Sequence, residues 1–204
     1  MKKIVVFLLF ISISAVAQSV KIKSEVILET KLSSRAIFVD DEKVWMGMDK
    51  GRYGFYDKKK DTTILKEIQS VARTTEFRSI AGTKEAIFIL AVGNPAMLIR
   101  IDKKTLEETV VYREEHEKVF YDSMQFVDDL NGFAMGDPIE NCLAFIKTSD
   151  GGKTWQKVNC DVLPKVAEGE AAFATSNTNL TIKGKSIFMV SGGKKSRVFV
   201  SKDF

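Results

Sequence analysis

Thr148-Ser149-Asp150-Gly151-Gly152-Lys153-Thr154-Trp155, entered through Ile146-Lys147 and left through Gln156-Lys157-Val158, reads as a strand, a tight turn and a second strand. Two adjacent glycines supply the positive backbone dihedrals that a short hairpin requires. Asp150 is placed to accept hydrogen bonds from the turn's own amides, and Thr154 can bond locally as well. Trp155 then offers a large apolar surface with one N–H at its edge, suited to packing beneath a neighbouring strand.

Outward from this turn, Cys142 and Cys160 lie nine residues either side of Gly151. If Thr148 faces Thr154, the two cysteines face each other on one side of the ribbon. A disulfide and a pair of packed free thiols are both open readings. No further Cys or His accompanies them, so no metal site is expected.

The rest of the chain consists of short β-branched, aromatic and aliphatic runs separated by Gly, Asp, Asn and Lys, the pattern of all-β structure. Four segments share one order: an apolar strand, a polar turn, an aromatic-containing strand ending near Gly, and a third strand ending on Asp. They start at Arg35, Arg78, Asp122 and Ala171. The closing residues Asp57, Asp102, Asp150 and Asp203 are 45, 48 and 53 residues apart. Four-stranded propeller blades repeat at roughly 40–50 residues. Blades are expected at 26–70, 71–114, 115–165 and 166–204, the last incomplete.

The turn that opens this section fits S/T-x-D-x-G-x-T-W at Thr148, Asp150, Gly152, Thr154 and Trp155, and so resembles the Asp-box, the bacterial neuraminidase repeat. With "FYDSMQFVDDLNGFAMGD" before it and "FMVSGGKKSRVFVSKD" after it, the chain from Arg35 to Phe204 is similar to exported bacterial β-propellers, including the photosystem II stability and assembly factor-like ones. The resemblance implies that the Asp-box is structural and lies away from the ligand site. Ser201-Lys202-Asp203-Phe204 begins another such box and stops. We therefore expect the N-terminal portion, about four blades, of a propeller that in this family more often has seven.

Strands of a blade run alternately up and down, so the Asp-box turn and the first turn of each blade share one face. The opposite face gathers the first-strand starts Arg35, Arg78, Asp122 and Glu170 and the loops holding Asp49, Asn94 and Asp137. These are the ligand-face candidates, because loops at the mouth of a rigid scaffold collect binding groups. Arg35 and Arg78 could grip a carboxylate or phosphate. The plainer expectation is an ion pair between blades with Asp137 or Asp49.

Lys2-Lys3, the apolar run Ile4 to Ile13 and Ala15-Val16-Ala17 form a secretory signal peptide, 1–17, followed by a propeller domain, 18–204. Export to the periplasm or cell exterior is expected, with no later membrane span. The chain has 31 basic residues, or 29 without Lys2 and Lys3, against 27 acidic ones, a balance that implies no nucleic-acid partner. Dinucleotide, phosphate-loop and H-E-x-x-H zinc motifs are missing, so no cofactor is expected. The leading function is a non-catalytic binding or assembly scaffold for a protein or glycan. A sialidase-like glycoside hydrolase is the alternative, for which three arginines and a Tyr/Glu pair would be needed; only Arg35 and Arg78 are candidates, and Phe77-Arg78-Ser79-Ile80 lacks the family's proline. A purely structural surface module is the third reading.

Overall fold

The computed structural model describes residues 21–173 and 177–203. The expected signal peptide lies outside the described residues, as do Ala174 and Phe204. Three four-stranded antiparallel sheets follow one another, each in simple meander order. The first holds β1 (Ser34–Val39), β2 (Lys43–Met48), β3 (Arg52–Asp57) and β4 (Thr62–Glu67). The second holds β5 (Phe77–Gly82), β6 (Ala86–Ala91), β7 (Ala96–Asp102) and β8 (Glu108–Glu114). The third holds β9 (Tyr121–Phe126), β10 (Gly132–Pro138), β11 (Leu143–Thr148) and β12 (Gln156–Lys157). A single 3-10 turn, Cys160–Val162, is the one helical element among the described residues.

The fourth segment departs from expectation. Its first strand was expected at Ala171 to Ala174. Instead β13 (Glu170–Ala171) pairs with β16 (Gly192–Gly193), while β14 (Leu180–Lys183), β15 (Ser186–Val190) and β17 (Val198–Ser201) form a three-stranded sheet. Two local facts explain the shift. Phe173 has φ of +62°, which a strand residue does not adopt. Thr181 and Ile182 are β-branched and suit a pleated surface better than the alanines do.

β1 packs against β5, β5 against β9, and β9 against β14. The first strands therefore line the inside of an arc, and sheets stack face to face around it. Alternation along each strand sends side chains to both neighbouring seams. On β6, Ile87 and Ile89 turn to the first blade and meet Trp45 and Phe55, whereas Phe88 and Leu90 turn to the third and meet Ala134 and Ile146. The third seam joins Met135 and Phe145 to Met189 and Phe199. Every residue of β6 is buried.

The turns of the outer face are held by carboxylates. Asp57 accepts from the amides of Lys59 and Lys60, and Asp102 from those of Lys104 and Thr105. Asp150 accepts from the Thr154 hydroxyl at 2.6 Å, from the amides of Thr154 and Lys153, and from the Thr148 hydroxyl at 2.8 Å. Desolvation pushes the Asp150 carboxyl up, but these donors outweigh it and hold it at about 2. Gly151 and Gly152 both have positive φ, and a side chain on Gly152 would strike the Phe88 ring. Trp155 packs on Phe126 of its own blade and, across the second seam, on Phe88. The register differs by one residue from a Thr148–Thr154 pairing, since Ile146 faces Lys157 and Lys147 faces Gln156. Cys142 and Cys160 nonetheless lie 5.7 Å apart at Cα and form a disulfide.

Replacing Asp150 with Ala strips several donors of their acceptor and should lower the unfolding free energy by about 1–3 kcal/mol. Asn, which keeps an acceptor oxygen, should restore part of it. Urea midpoints check this, and an unchanged midpoint for Asp150→Ala would show that the glycines alone form the turn.

Candidate ligand rim

Register breaks recur at one place in three consecutive blades. In β1, Ser34 faces Met48 and Ala36 faces Gly47, leaving Arg35 without a cross-strand partner. In β5, Arg78 is left over between Phe77–Ala91 and Ser79–Leu90. In β9, Asp122 is left over between Tyr121–Gly136 and Ser123–Met135. Each is a β-bulge residue, and a bulge re-aims its side chain away from the pleat. Sequence alignment of the strand starts placed these residues at equivalent positions; the bulge that singles them out was not legible.

Arg35 and Arg78 converge on Glu76, at 3.3 and 2.9 Å. This corrects the expected pairing with Asp137 or Asp49. Glu76 comes from the approach to β5, so it sits beside both inner strands, and sequence pattern gave no signal for it. Arg78 also lies 5.8 Å from the Phe120 ring, and its buried Nε has no hydrogen-bond partner. Asp49 instead accepts from the Ser33 amide, and Asp137 from the Ala172 amide at 2.7 Å. Asn94 is exposed beside Glu76 in a cleft of about 400 Å³.

Asp122 is fully buried, and neither carboxylate oxygen makes a hydrogen bond of good geometry. Desolvation and then the Asp137 carboxylate push its carboxyl up to about 8, against the pull of Arg78 and the Asp137 amide. Glu170 does not join the rim. It is buried under Arg197, which donates to it at 2.9 and 2.6 Å, and Ser191 and the Ala167 amide also donate to it. The Arg197 hydrogen bonds hold its carboxyl at about 2 against desolvation.

Asn177 was not anticipated. In the fourth blade the paired residues of the first strand jump from Ala171 to Leu180, and Asn177 from this interval reaches two other blades. Its Oδ1 accepts from the Ser79 hydroxyl at 2.6 Å and the Met124 amide at 2.9 Å, and its Nδ2 donates to the Ile80 carbonyl at 3.0 Å. It thereby ties the inner strands of blades two and three just past their bulges.

A larger cleft, about 720 Å³, opens on the opposite face between the first turns of blades one to three. Its charges are largely matched within the chain, by Lys103–Asp40 at 2.8 Å and Lys84–Asp129 at 3.3 Å. Sequence reasoning also passed over Glu114, which accepts from Tyr112 and Tyr121, each at 2.8 Å, and pairs with Lys157. Burial pushes both phenols far up, helped at Tyr121 by the neighbouring Tyr112 and at both by Glu114, so each is held as a neutral donor. Among the described residues no cluster of His, Cys, Asp or Glu could hold a metal ion, and no helix is long and apolar enough to cross a membrane.

No family model and no curated protein matches the chain. Solved structures do. The chain superposes on YCF48 bound to D1 peptide with TM-score 0.53 at 12% identity, covering 82% of this chain and 52% of that one. On the RRP9 WD40 repeats the TM-score is 0.57 at 7% identity, covering 86% and 53%. The fold is a β-propeller. At such identities the likeness extends to the fold alone. The chain spans about half the length of those two proteins, and 94% of the computationally designed Ika4 protein, on which 86% of it superposes with TM-score 0.55.

Asp122 gives a pH test. The native state keeps its proton to about pH 8, while an unfolded Asp releases it near pH 4. Between these values the native state binds more protons, so this group makes stability fall as pH rises. Asp122→Asn should flatten the decline between pH 5 and 8 and stabilise the protein at pH 8.5 by about 1–3 kcal/mol. Chemical denaturation across that range checks it, and an unaltered slope would contradict the assignment.

Proposed function

We propose that the chain is a non-catalytic binding propeller that holds a protein partner at the rim bearing Arg35 and Arg78. The observation that carries this reading is the bulge repeated in β1, β5 and β9. Each bulge forgoes ladder hydrogen bonds, a cost a purely structural blade has no need to repeat, and bulges concentrate beside functional sites. Arg35 is exposed and Arg78 half-buried, both already oriented by Glu76. Guanidinium pairs so arranged suit carboxylates of an extended peptide. YCF48, which shares the fold, is seen with a D1 peptide. We further propose that the protein is exported, a reading supported by the Cys142–Cys160 disulfide, since such bonds persist in oxidising compartments.

The test is an array of acidic, neutral and basic peptides together with oligosaccharides. Acidic peptides should bind, and Arg35→Gln with Arg78→Gln should weaken that binding at least about tenfold while the circular dichroism spectrum stays that of a folded β protein. Retention of binding in that double variant, or capture of oligosaccharides alone, would refute the protein-binding rim.

A further inference from the structure

One row of residues crosses the second blade at its ligand-face end. Arg78 is the bulge residue of β5, next to the Phe77–Ala91 pair. Ala91 follows Leu90 and Met97 precedes Leu98, which face each other, so Ala91 and Met97 lie side by side on β6 and β7. Met97 in turn faces Arg113 on β8, whose Nη1 lies 3.6 Å from the Met97 sulfur. The row thus has a guanidinium at each end and an apolar centre. The cleft of about 400 Å³ that holds Asn94 opens here, between the connection from β4 to β5 and the turn from β6 to β7. Ala91, Val92 and Met97 are its buried lining, and Val71 and Pro95 add half-buried apolar surface.

Both ends of the row are charged in the same way. Glu76 lines the cleft and holds Arg35 and Arg78 at 3.3 and 2.9 Å, and Glu115 holds Arg113 at 2.6 Å. The Arg35 and Arg113 side chains are still 55% and 52% exposed, so each can take a second carboxylate while its own partner orients it. Strand geometry sets the distance between the ends. From β5 to β8 there are three strand spacings of about 4.8 Å, or about 14 Å in all. An extended chain rises about 3.4 Å per residue and covers that distance in about four residues, with alternate side chains on one side.

Resting on the reading of this rim as a peptide-binding surface, we infer that it selects an extended segment with two acidic residues separated by three others, the middle one a large aliphatic residue: Asp/Glu-x-Leu-x-Asp/Glu. The first carboxylate meets Arg35 and Arg78, the aliphatic side chain enters the cleft over Ala91 and Met97, and the second carboxylate meets Arg113. The aliphatic residue supplies binding energy by covering apolar surface that the chain itself leaves open. The guanidinium groups at both ends disfavour a basic residue at either outer position, so charge fixes the register and the cleft fixes the centre.

Fluorescence anisotropy with labelled peptides of Ser and Gly tests this. One peptide carries Asp-x-Leu-x-Asp, a second has Leu replaced by Ser, and a third has the same composition with its two Asp residues adjacent. The first should bind at least about tenfold more tightly than either of the others. Arg113→Gln should remove the advantage of the spaced carboxylates, and Thr74→Trp, which fills the cleft, should remove the advantage of Leu. Arg113 and Thr74 are both exposed, so circular dichroism should be unchanged in each variant. Equal affinity for the three peptides, with binding still lost in the Arg35→Gln, Arg78→Gln double variant, would overturn this inference and leave the rim. A preference that survives both Arg113→Gln and Thr74→Trp would overturn it as well. Binding of none of the peptides, or binding indifferent to the double variant, would refute the rim itself and this inference with it.

Discussion

No sheet in this protein can bury its apolar surface alone. A strand such as β6, buried along its whole length, sends Ile87 and Ile89 to one neighbour and Phe88 and Leu90 to the other. Fully burying one such side chain is worth roughly 1.5–3 kcal/mol, and that gain exists only when a second blade lies against it. The seam is therefore the unit of stability, as in other repeat architectures. The polar features of the turns follow from it. Asp150, Asp102 and Asp57 satisfy the turn amides so that strands can end together at the seam edge.

The same constraint shapes the ligand rim. Inner strands run closest together, and a bulge at the head of β1, β5 and β9 turns one side chain out of each seam. The three resulting groups then have different fates. Arg35 and Arg78 share Glu76 and stay in reach of solvent, whereas Asp122 is fully buried. Asn177 supplies the hydrogen bonds that the inner strands of blades two and three leave unmade near their bulges. The rim is thus rigid where it meets the core and open where the guanidinium groups sit, a combination suited to recognition by a preorganised surface.

Much of the fold was legible because it rests on local chemistry. The spacing of closing aspartates and the glycine pair at 151–152 mark the blades, and alternation marks the strands. The fourth blade was misread because Ala171-Ala172-Phe173 looks like a strand in isolation, and only the backbone at Phe173 shows that the chain leaves the sheet there. The site was legible in part. Equivalence of Arg35, Arg78 and Asp122 could be read from repeat alignment, but their partners could not. Glu76 lies between elements with no pattern of its own, and Asn177 acts on Ser79 across two blades, a contact no local rule predicts.

The central claim is that blades are stable only through their seams, and the two tryptophans of the chain offer a direct measurement. Trp45 is buried in the first seam and Trp155 in the second. Unfolding can be followed by fluorescence in Trp155→Phe, which reports the first seam, and in Trp45→Phe, which reports the second. Each variant should also be followed by far-ultraviolet circular dichroism. Within each variant the fluorescence and dichroism transitions should coincide, because loss of either seam exposes the sheet between them. A fluorescence transition well separated from the dichroism transition in either variant would mean that blades fold as independent units, and would contradict the account.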